Sequence, residues 1–473
     1  MTRSPFINDF KKINKSETIV YIMKKEKIII TTLLVVFTVT LLIQLALLNV
    51  LATKYLLLII VFVVLLDVFL ILLNKKTIGK VLTILIIFLS LFGNYYLLKT
   101  SGALNKITRN THETKSTISI ISLKDNDFDD LKNITIGYFR TDLEEYKTTK
   151  YNSLNELLDV LYGGEVDAII INEAYRDQVK DIKEDFDKDT KVIYQTSMVI
   201  ENTDKANKVE NITNKSFNVL ISGSDTRGGF DEYGRSDVIM VATVNPNTHT
   251  ILLTSIPRDY YVTTICDEND RCMYGELDKI THTGIHGTNT TKRTVENLLG
   301  IKINYTFKVG FDTVTDLVDA IGGVDVYVEP GYALTRPEFS VKEGLNHLNG
   351  KQALAYSRER YAYSEGDRQR TRNQQQVLMG IIDKLTSPSI ITNYAAIIDA
   401  MADTFSTTMS NEEITSLIKY QLDKNPKWTI EQYMVDGSGS TQMCAELGDA
   451  AYVMIPNQDT VRTASERIEE VLK

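Results

Sequence analysis

Cysteine and positive charge are both in short supply in this sequence. Only Cys266, Cys272 and Cys444 occur in 473 residues, too few for a disulfide framework or a cysteine-rich zinc site. The formal net charge is −9, the wrong sign for a protein that grips a phosphate backbone, so nucleic acid is not expected as a partner. No serine, histidine and aspartate, and no cysteine with histidine, fall into a pattern that reads as a nucleophile set. His282 and His286 stand four apart, but without a third ligand they read as surface or supporting residues rather than a zinc site. The chain is also too long for one compact domain.

Long apolar runs are present. Ile28 to Ala52 carries no charge, Tyr55 to Leu73 is interrupted only by Asp67, and Val81 to Leu98 follows; each approaches or exceeds the roughly 20 residues that cross a bilayer. Three successive runs fit a retained anchor and not a cleaved signal peptide. Lys11, Lys12, Lys15, Lys24, Lys25 and Lys27 precede the first run, and Lys75, Lys76 and Lys80 flank the second turn, whereas only Lys54 lies between runs one and two. By the positive-inside rule residues 1–27 form a cytoplasmic tail, 28–98 hold three transmembrane helices, and everything after Leu98 lies outside the cell. Basic residues in the tail are explained by topology and anionic lipid. Asp67 has no partner legible in the sequence and is expected to mark no more than helix packing or a span's end. Outside the cell, Cys266 and Cys272, which bracket the loop "CDENDRC", can close as a local disulfide. Cys444 is then left as a buried free thiol.

Residues 99–115 are polar and read as a linker. From 116 to 201 the pattern is a small α/β accessory domain: "NITIGYF", a helix in which Leu154, Leu157, Leu158 and Leu161 recur before a Gly-Gly stop, then the strands "VDAIII" and "KVIYQTSMVI". It shows no catalytic constellation. A charged link, Asp204 to Lys215, leads to a larger domain at 216–473. There "FNVLIS", "DVIMVATV" and "TILLTSIP" read as strands, the last two joined by a turn at Asn245 to Thr248, and "NTTKRTVENLLG" and "FDTVTDLVDAIGG" as helices. The fold class is α/β, a mixed central sheet flanked by helices in an α/β/α arrangement, preceded by three transmembrane helices and the accessory domain.

If those three strands form a meander, Asp225, Arg235, Asp237 and Arg258 collect at one edge of the sheet. Two carboxylates suit a hard divalent cation, because Mg²⁺, or Mn²⁺ in its place, takes one or two of them and fills its shell with water and phosphate oxygens. Taken singly, Asp225 could equally cap a turn in "GSDTRGG". Further on, Ala353 to Gln376 holds five arginines and no lysine, which points to multidentate contact with phosphate. Arg358 and Arg360 alternate as on a strand. Near Asp367 a helix begins, on which Arg370 and Gln374 share a face, and a helix amino terminus itself attracts phosphate. Together these features suggest a diphosphate.

These residues carry a resemblance. "GSDTRGGFDEYGRSDVIMVATVNPNTHTILLTSIPRDYYV", "DKITHTG", "FKVGF", "IGGVDVYV", "GLNHLNGKQALAYSRERY" and "GDRQRTRNQQQVL", between 216 and about 385, resemble the LytR-CpsA-Psr family. Three spans and an added domain ahead of them resemble its streptococcal-type CpsA capsule branch. The resemblance implies an extracellular phosphotransferase of a Gram-positive bacterium. It would take capsular polysaccharide from a polyprenyl diphosphate carrier and join it to peptidoglycan, with capsule assembly proteins as further partners. It places the metal on Asp225 and Asp237, and the diphosphate on Arg235, Arg258, Arg358, Arg360 and Arg370 with Gln374, and Lys279 beside them. Asp225, Asp237, Arg258 and Arg358 are then the catalytic set; the residues themselves leave the base open between Asp237 and an unassigned acid. A hydrolase on the same lipid, a membrane-anchored regulator of capsule production and a polymer-binding module remain as alternatives.

Overall fold

The computed structural model describes residues 6–473 apart from 75, 110–112, 129, 142, 202–203, 225–231, 268–271, 388–389 and 403–404. It divides into two compact units, Met1–Gly102 with Thr415–Lys424, and Ala103–Ile414 with Asn425–Lys473. The first holds α1 (Phe6–Leu48), α2 (Thr53–Leu73) and most of α3 (Thr77–Arg109). Lys24–Leu48, Thr53–Leu73 and Thr77–Thr108 are each long and apolar enough to cross a membrane. Asp67 does have a partner: Thr38 Oγ1 on α1 donates to its Oδ2 at 2.7 Å. The two lie 29 residues apart, so only helix packing brings them together. α3 also runs on through much of the expected linker, because Leu104 and Ile107, three apart, are buried and hold its last turns in place.

The second unit contains two sheets of consequence. In the region expected as an accessory domain, which the contacts keep in one unit with the larger sheet, β1 (Glu113–Leu123), β2 (Ile136–Tyr138), β3 (Thr148–Lys150), β4 (Ala168–Asn172) and β5 (Thr190–Glu201) form one sheet in the order β3-β2-β4-β1-β5. α4 (Leu154–Tyr162) starts where Ser153 Oγ accepts from Glu156 N at 3.1 Å, and presents Leu154, Leu157, Leu158 and Leu161 to Ile121, Ile169 and Ile171. α5 (Arg176–Ile182) and α6 (Phe186–Asp189) complete the domain.

The larger sheet takes β6 (Phe217–Ser224), β7 (Val238–Asn245) and β8 (Thr250–Ile256) as an antiparallel meander. β9 (Tyr261–Thr263) and β10 (Leu277–Lys279) pair beside it, and α7 (Thr288–Leu299) follows. β11 (Tyr305–Gly310) lies parallel to β6. After it come α8 (Phe311–Ala320), β12 (Val324–Val328), the short pair β13 (Leu334–Thr335) and β14 (Ser340–Val341), β15 (Gly344–Leu348), α9 (Gly350–Arg358), α10 (Asp367–Leu385) and α11 (Ile390–Met401). β16 (Phe405–Thr407), α12 (Asn411–Lys424), β17 (Thr429–Met434), β18 (Gly437–Cys444), β19 (Asp449–Pro456) and α13 (Gln458–Leu472) end the chain, and the sheet order is β16-β11-β6-β7-β8-β17.

β7 and β8 are buried along most of their length, which is why they read as near-continuous apolar runs. Leu220, Val241, Leu252 and Ile256 meet Val295 and Leu299 of α7 and Val461, Ala464 and Ile468 of α13 in the core. The segment from Asp204, expected as a charged link, is anchored at its start. Asp204 is buried and accepts from Lys292 Nζ at 2.6 Å and Thr306 Oγ1 at 2.5 Å, because a carboxylate taken from water needs such partners. Cys266 and Cys272 are joined, and Cys444 is a buried free thiol.

Candidate active site

The meander places three of the four expected rim residues together. β6 ends where β7 begins, with Asp237 N donating to Gly223 O at 2.8 Å, and β8 returns to the same edge just before Arg258. Asp225 lies outside the described residues. Arg258 Nη1 donates to Asp237 Oδ1 at 2.9 Å, and Thr281 Oγ1 approaches the same oxygen at 3.4 Å. Arg258 Nε lies 3.8 Å from Asp259 Oδ2 and 4.0 Å from Asp367 Oδ1. Asp367 in turn pairs with Arg370, and Lys279 Nζ lies 3.5 Å from Asp259 Oδ1. The resulting chain of charges joins residues 237, 258, 259, 279, 367 and 370.

Burial pushes the Asp237 carboxyl toward protonation, but the guanidinium groups of Arg235, Arg258 and Arg370 overcome it and hold the group below its ordinary range. Arg258 is shifted upward against the opposing effect of burial, by Asp237, Asp259 and Asp367. Burial draws Arg370 down, with Asp367 resisting. The backbone explains the tight approach: a Cβ on Gly284 would stand 2.5 Å from Gly234 O and 2.6 Å from Ser236 N. Only glycine lets this turn press against the segment that carries Arg235 and Asp237.

The arginine-rich stretch divides. α10 begins at Asp367, as the sequence suggests, and Arg370 sits in its first turn. Arg360 acts on Arg370 through space and lies over the Tyr361 ring at 4.6 Å. Arg358 does not alternate with it on a strand. It is the last residue of α9, whose Asn349 capping box and buried Ala353 and Tyr356 impose a helical period, and it stacks on Phe311 at 4.7 Å. Gln374 is half-buried one turn after Arg370. Arg368 pairs with Asp436 at 2.7 Å and Arg372 with Glu365, so both serve the fold.

Three rim arginines have unspent donors. The Nε atoms of Arg235, Arg258 and Arg370 are shut away from solvent without a hydrogen-bond acceptor. Arg368 Nε is too, with its outer nitrogen donating to Gly437 O at 2.8 Å, so what sets the other three apart is their place around Asp237. An orphaned buried donor costs about 1–3 kcal/mol, and three on guanidinium groups that surround one ionised carboxylate suit an oxyanion.

His282 and His286 are not surface residues. Both lie in a short 3-10 helix and each faces its own carboxylate, His282 Nδ1 at 2.7 Å from Asp278 Oδ1 and His286 Nε2 at 2.9 Å from Glu446 Oε2. Among the described residues no group of three histidine, cysteine or acidic side chains is placed to hold a metal. Sequence reasoning passed over Asp259 and Asp367, although each adjoins an arginine in "PRDYY" and "GDRQR". It also passed over Asp177 and Asp181 of α5, which meet Arg235 from the accessory domain at 3.7 and 2.6 Å and which no local pattern announces.

The chain is 35% identical over 244 residues to the polyisoprenyl-teichoic acid–peptidoglycan teichoic acid transferase TagU of Bacillus subtilis, covering 51% of this chain and 75% of that protein. The protein of the same name from Enterococcus faecalis is 33% identical over 260 residues, 54% of this chain and 80% of its own length. Among solved structures, protein gbs0355 of Streptococcus agalactiae aligns with 55% of this chain and 88% of its own, at 26% identity and a TM-score of 0.48. Residues 178–470 match the LytR_cpsA_psr family, more than half of the chain and all of the rim just described, and the chain belongs to that family.

Proposed function

We propose that this protein transfers a glycopolymer from a polyprenyl diphosphate carrier to peptidoglycan, outside the cell, and that the polymer is capsular polysaccharide. The observation that carries the reading is the set of three arginines with unspent Nε donors around an ionised Asp237. The names of the relatives supply the class of reaction. Three apolar helices and an added α/β region ahead of the rim resemble the capsule branch of the family, and that resemblance favours a capsule polymer; the lysine distribution favours a cytoplasmic amino terminus. A membrane-impermeant thiol reagent is expected to label a cysteine placed at Glu184 in intact cells and to miss one placed at Thr77; the reverse pattern overturns this topology.

In this mechanism the guanidinium groups of Arg235, Arg258 and Arg370 receive the diphosphate oxygens and spread the charge that grows on the leaving phosphate. Arg360, which acts on Arg370 through space, adds positive charge beside them. The acceptor hydroxyl attacks the phosphorus that bears the polymer, the bond to the bridging oxygen breaks, prenyl phosphate departs with that oxygen, and the hydroxyl proton passes to the departing phosphate or to water. Asp237 is a poor base for that hydroxyl, because its depressed pKa leaves it weakly basic. Its lowered pKa favours the charged form, which suits a cation. One described carboxylate is too little to hold a metal by protein alone, yet it fits a hard cation that completes its shell with substrate oxygens, and Asp225 would join it there. Bound Mg²⁺ would neutralise the diphosphate and polarise it for attack.

The test uses the full chain in nanodiscs with a prenyl diphosphate-linked oligosaccharide and peptidoglycan fragments. Transfer is expected to require Mg²⁺ and to fall by roughly a hundredfold or more in the Asp225→Ala, Asp237→Ala double variant, while lipid stays bound. Undiminished transfer in that variant sinks the metal-assisted reading. Release of oligosaccharide to water without transfer would make the protein a hydrolase.

A further inference from the structure

The segment Glu232 to Asp237 carries two rim residues, and the accessory domain touches it at three places. Thr117 Oγ1 on β1 donates to Glu232 Oε1 at 2.7 Å. Ala174 and Tyr175 pack with Ile285 around Tyr233. On α5, Asp181 Oδ2 accepts from Arg235 Nη1 at 2.6 Å, and Asp177 Oδ2 lies 3.7 Å from Arg235 Nη2. Residues four apart share one face of a helix, so both carboxylates reach the same guanidinium. From the other side Ser236 N donates to Thr281 O at 2.9 Å, and its hydroxyl meets those of Ser222 at 2.9 Å and Thr291 at 3.2 Å. The segment is held between two domains.

This contact is poorly suited to adding stability. The Asp181 side chain is 68% exposed and that of Arg235 14%, and a pair open to water on one side is worth little to folding. It is well suited to aiming a planar group. A guanidinium has five N–H donors in a fixed fork, and with both outer nitrogens turned to α5 the orientation of the remainder is set. What remains includes the Nε that has no acceptor. We propose that Asp177 and Asp181 are positioning residues for the transfer reaction, and that the accessory domain thereby completes the active site by aiming Arg235 at the diphosphate. The inference rests on the function proposed above.

A positioning role predicts a particular split. Removing two carboxylates beside an anion site reduces repulsion, so ground-state binding of the donor should not weaken, whereas an unaimed Arg235 no longer meets the charge that develops during transfer. In the Asp177→Asn, Asp181→Asn variant of the full chain in nanodiscs, kcat is expected to fall about tenfold with KM for a prenyl diphosphate-linked oligosaccharide unchanged or lower. The same pair of changes should have less than about a twofold effect when Arg235 is already alanine, because residues acting as one unit are not additive. Asp181→Glu, which restores a carboxylate within reach, should recover part of the rate. Unchanged kcat, a rise in KM that parallels the loss of kcat, or additive losses with Arg235→Ala overturn the inference alone. If Arg235→Ala itself transfers normally, or the native chain transfers nothing, the functional reading falls and the inference with it.

Discussion

Two clusters of opposite charge lie in the same unit of this protein, and they are built differently. At the rim, Asp237, Arg258, Asp367 and Arg370 are linked in a chain, yet the Nε atoms of Arg235, Arg258 and Arg370 go without acceptors. At the seam between the domains, Asp278 accepts from His282, Lys279 N and Glu446 N, while Glu446 receives His286 and the hydroxyl of Tyr175. Arg140 donates to the neighbouring Ala445 O, and Leu154 N to Leu447 O at 3.0 Å. No side-chain atom of Asp278, His282, His286, Glu446 or Tyr175 is among the buried groups that lack a partner. Buried charge alone therefore does not mark a site. A cluster that has spent its donors suits a seam that holds domains together, and one with several unspent donors around an ionised carboxylate suits a ligand.

The sharpest way to break this comparison is to swap arginine for lysine at the rim. Arg258→Lys and Arg370→Lys each keep the charge and lose the fork, so transfer should fall by roughly a hundredfold at either position, the cost of removing a donor aimed at developing charge. Melting temperature should move little, since lysine still faces Asp237 or Asp367. Steady-state transfer rates together with thermal melts check both halves. A variant that loses activity and folding together would place the rim in the same class as the seam.

The seam should respond in the opposite way. His286, Tyr175 and Arg140 overcome the effect of burial and bring Glu446 down to about 2 from 4.5. A depressed carboxylate contributes stability that is fully present above its unfolded value and is lost as pH falls through its folded value. The window is therefore from about 4.5 down to about 2, and the contribution is on the order of 3 kcal/mol. Glu446→Gln should remove that contribution at neutral pH and flatten the acid limb of a plot of melting temperature against pH. Transfer measured well below the melting point should persist. A Glu446→Gln variant as stable as the native chain at neutral pH would show that the seam is not satisfied by charge.

How much of this was legible depended on sequence distance. The meander of β6, β7 and β8 follows from three apolar runs and one tight turn, and it brings residues 235, 237 and 258 to one edge without further information. Helix α10 is announced by its spacing and by Gly366 and Asp367 at its start. What stayed hidden was set by packing between distant parts. Asp67 meets Thr38 across two helices, Arg235 meets Asp181 across 54 residues, and His286 meets Glu446 across 160. None of these pairs leaves a local pattern. Arg358 was misplaced for another reason: alternation of arginines over three residues imitates a strand, whereas buried Ala353 and Tyr356, with a capping box before them, make a helix that ends there.

The smallest expected effect tests the division at its finest grain, inside one helix. Arg370 and Arg372 are two residues apart on α10, and nothing in "GDRQRTRNQQQ" says which of them meets substrate. The side chain of Arg370 is 11% exposed, turned to Asp367 and Arg258, with its Nε unpaired; that of Arg372 is 41% exposed, tied to Glu365 and donating to Gln369 Oε1 at 3.0 Å. Successive positions on a helix are rotated by about 100°, so a step of two carries a side chain to the far side. Surface ion pairs contribute roughly 0–1 kcal/mol, and lysine keeps the charge. Arg372→Lys should therefore change stability by less than about 0.5 kcal/mol in a urea titration and leave transfer within about twofold of native, beside the large loss in Arg370→Lys. Equal losses at the two positions would mean that exposure and unspent donors do not separate the arginines of this stretch, and that the whole run, not its rim-facing members, holds the diphosphate.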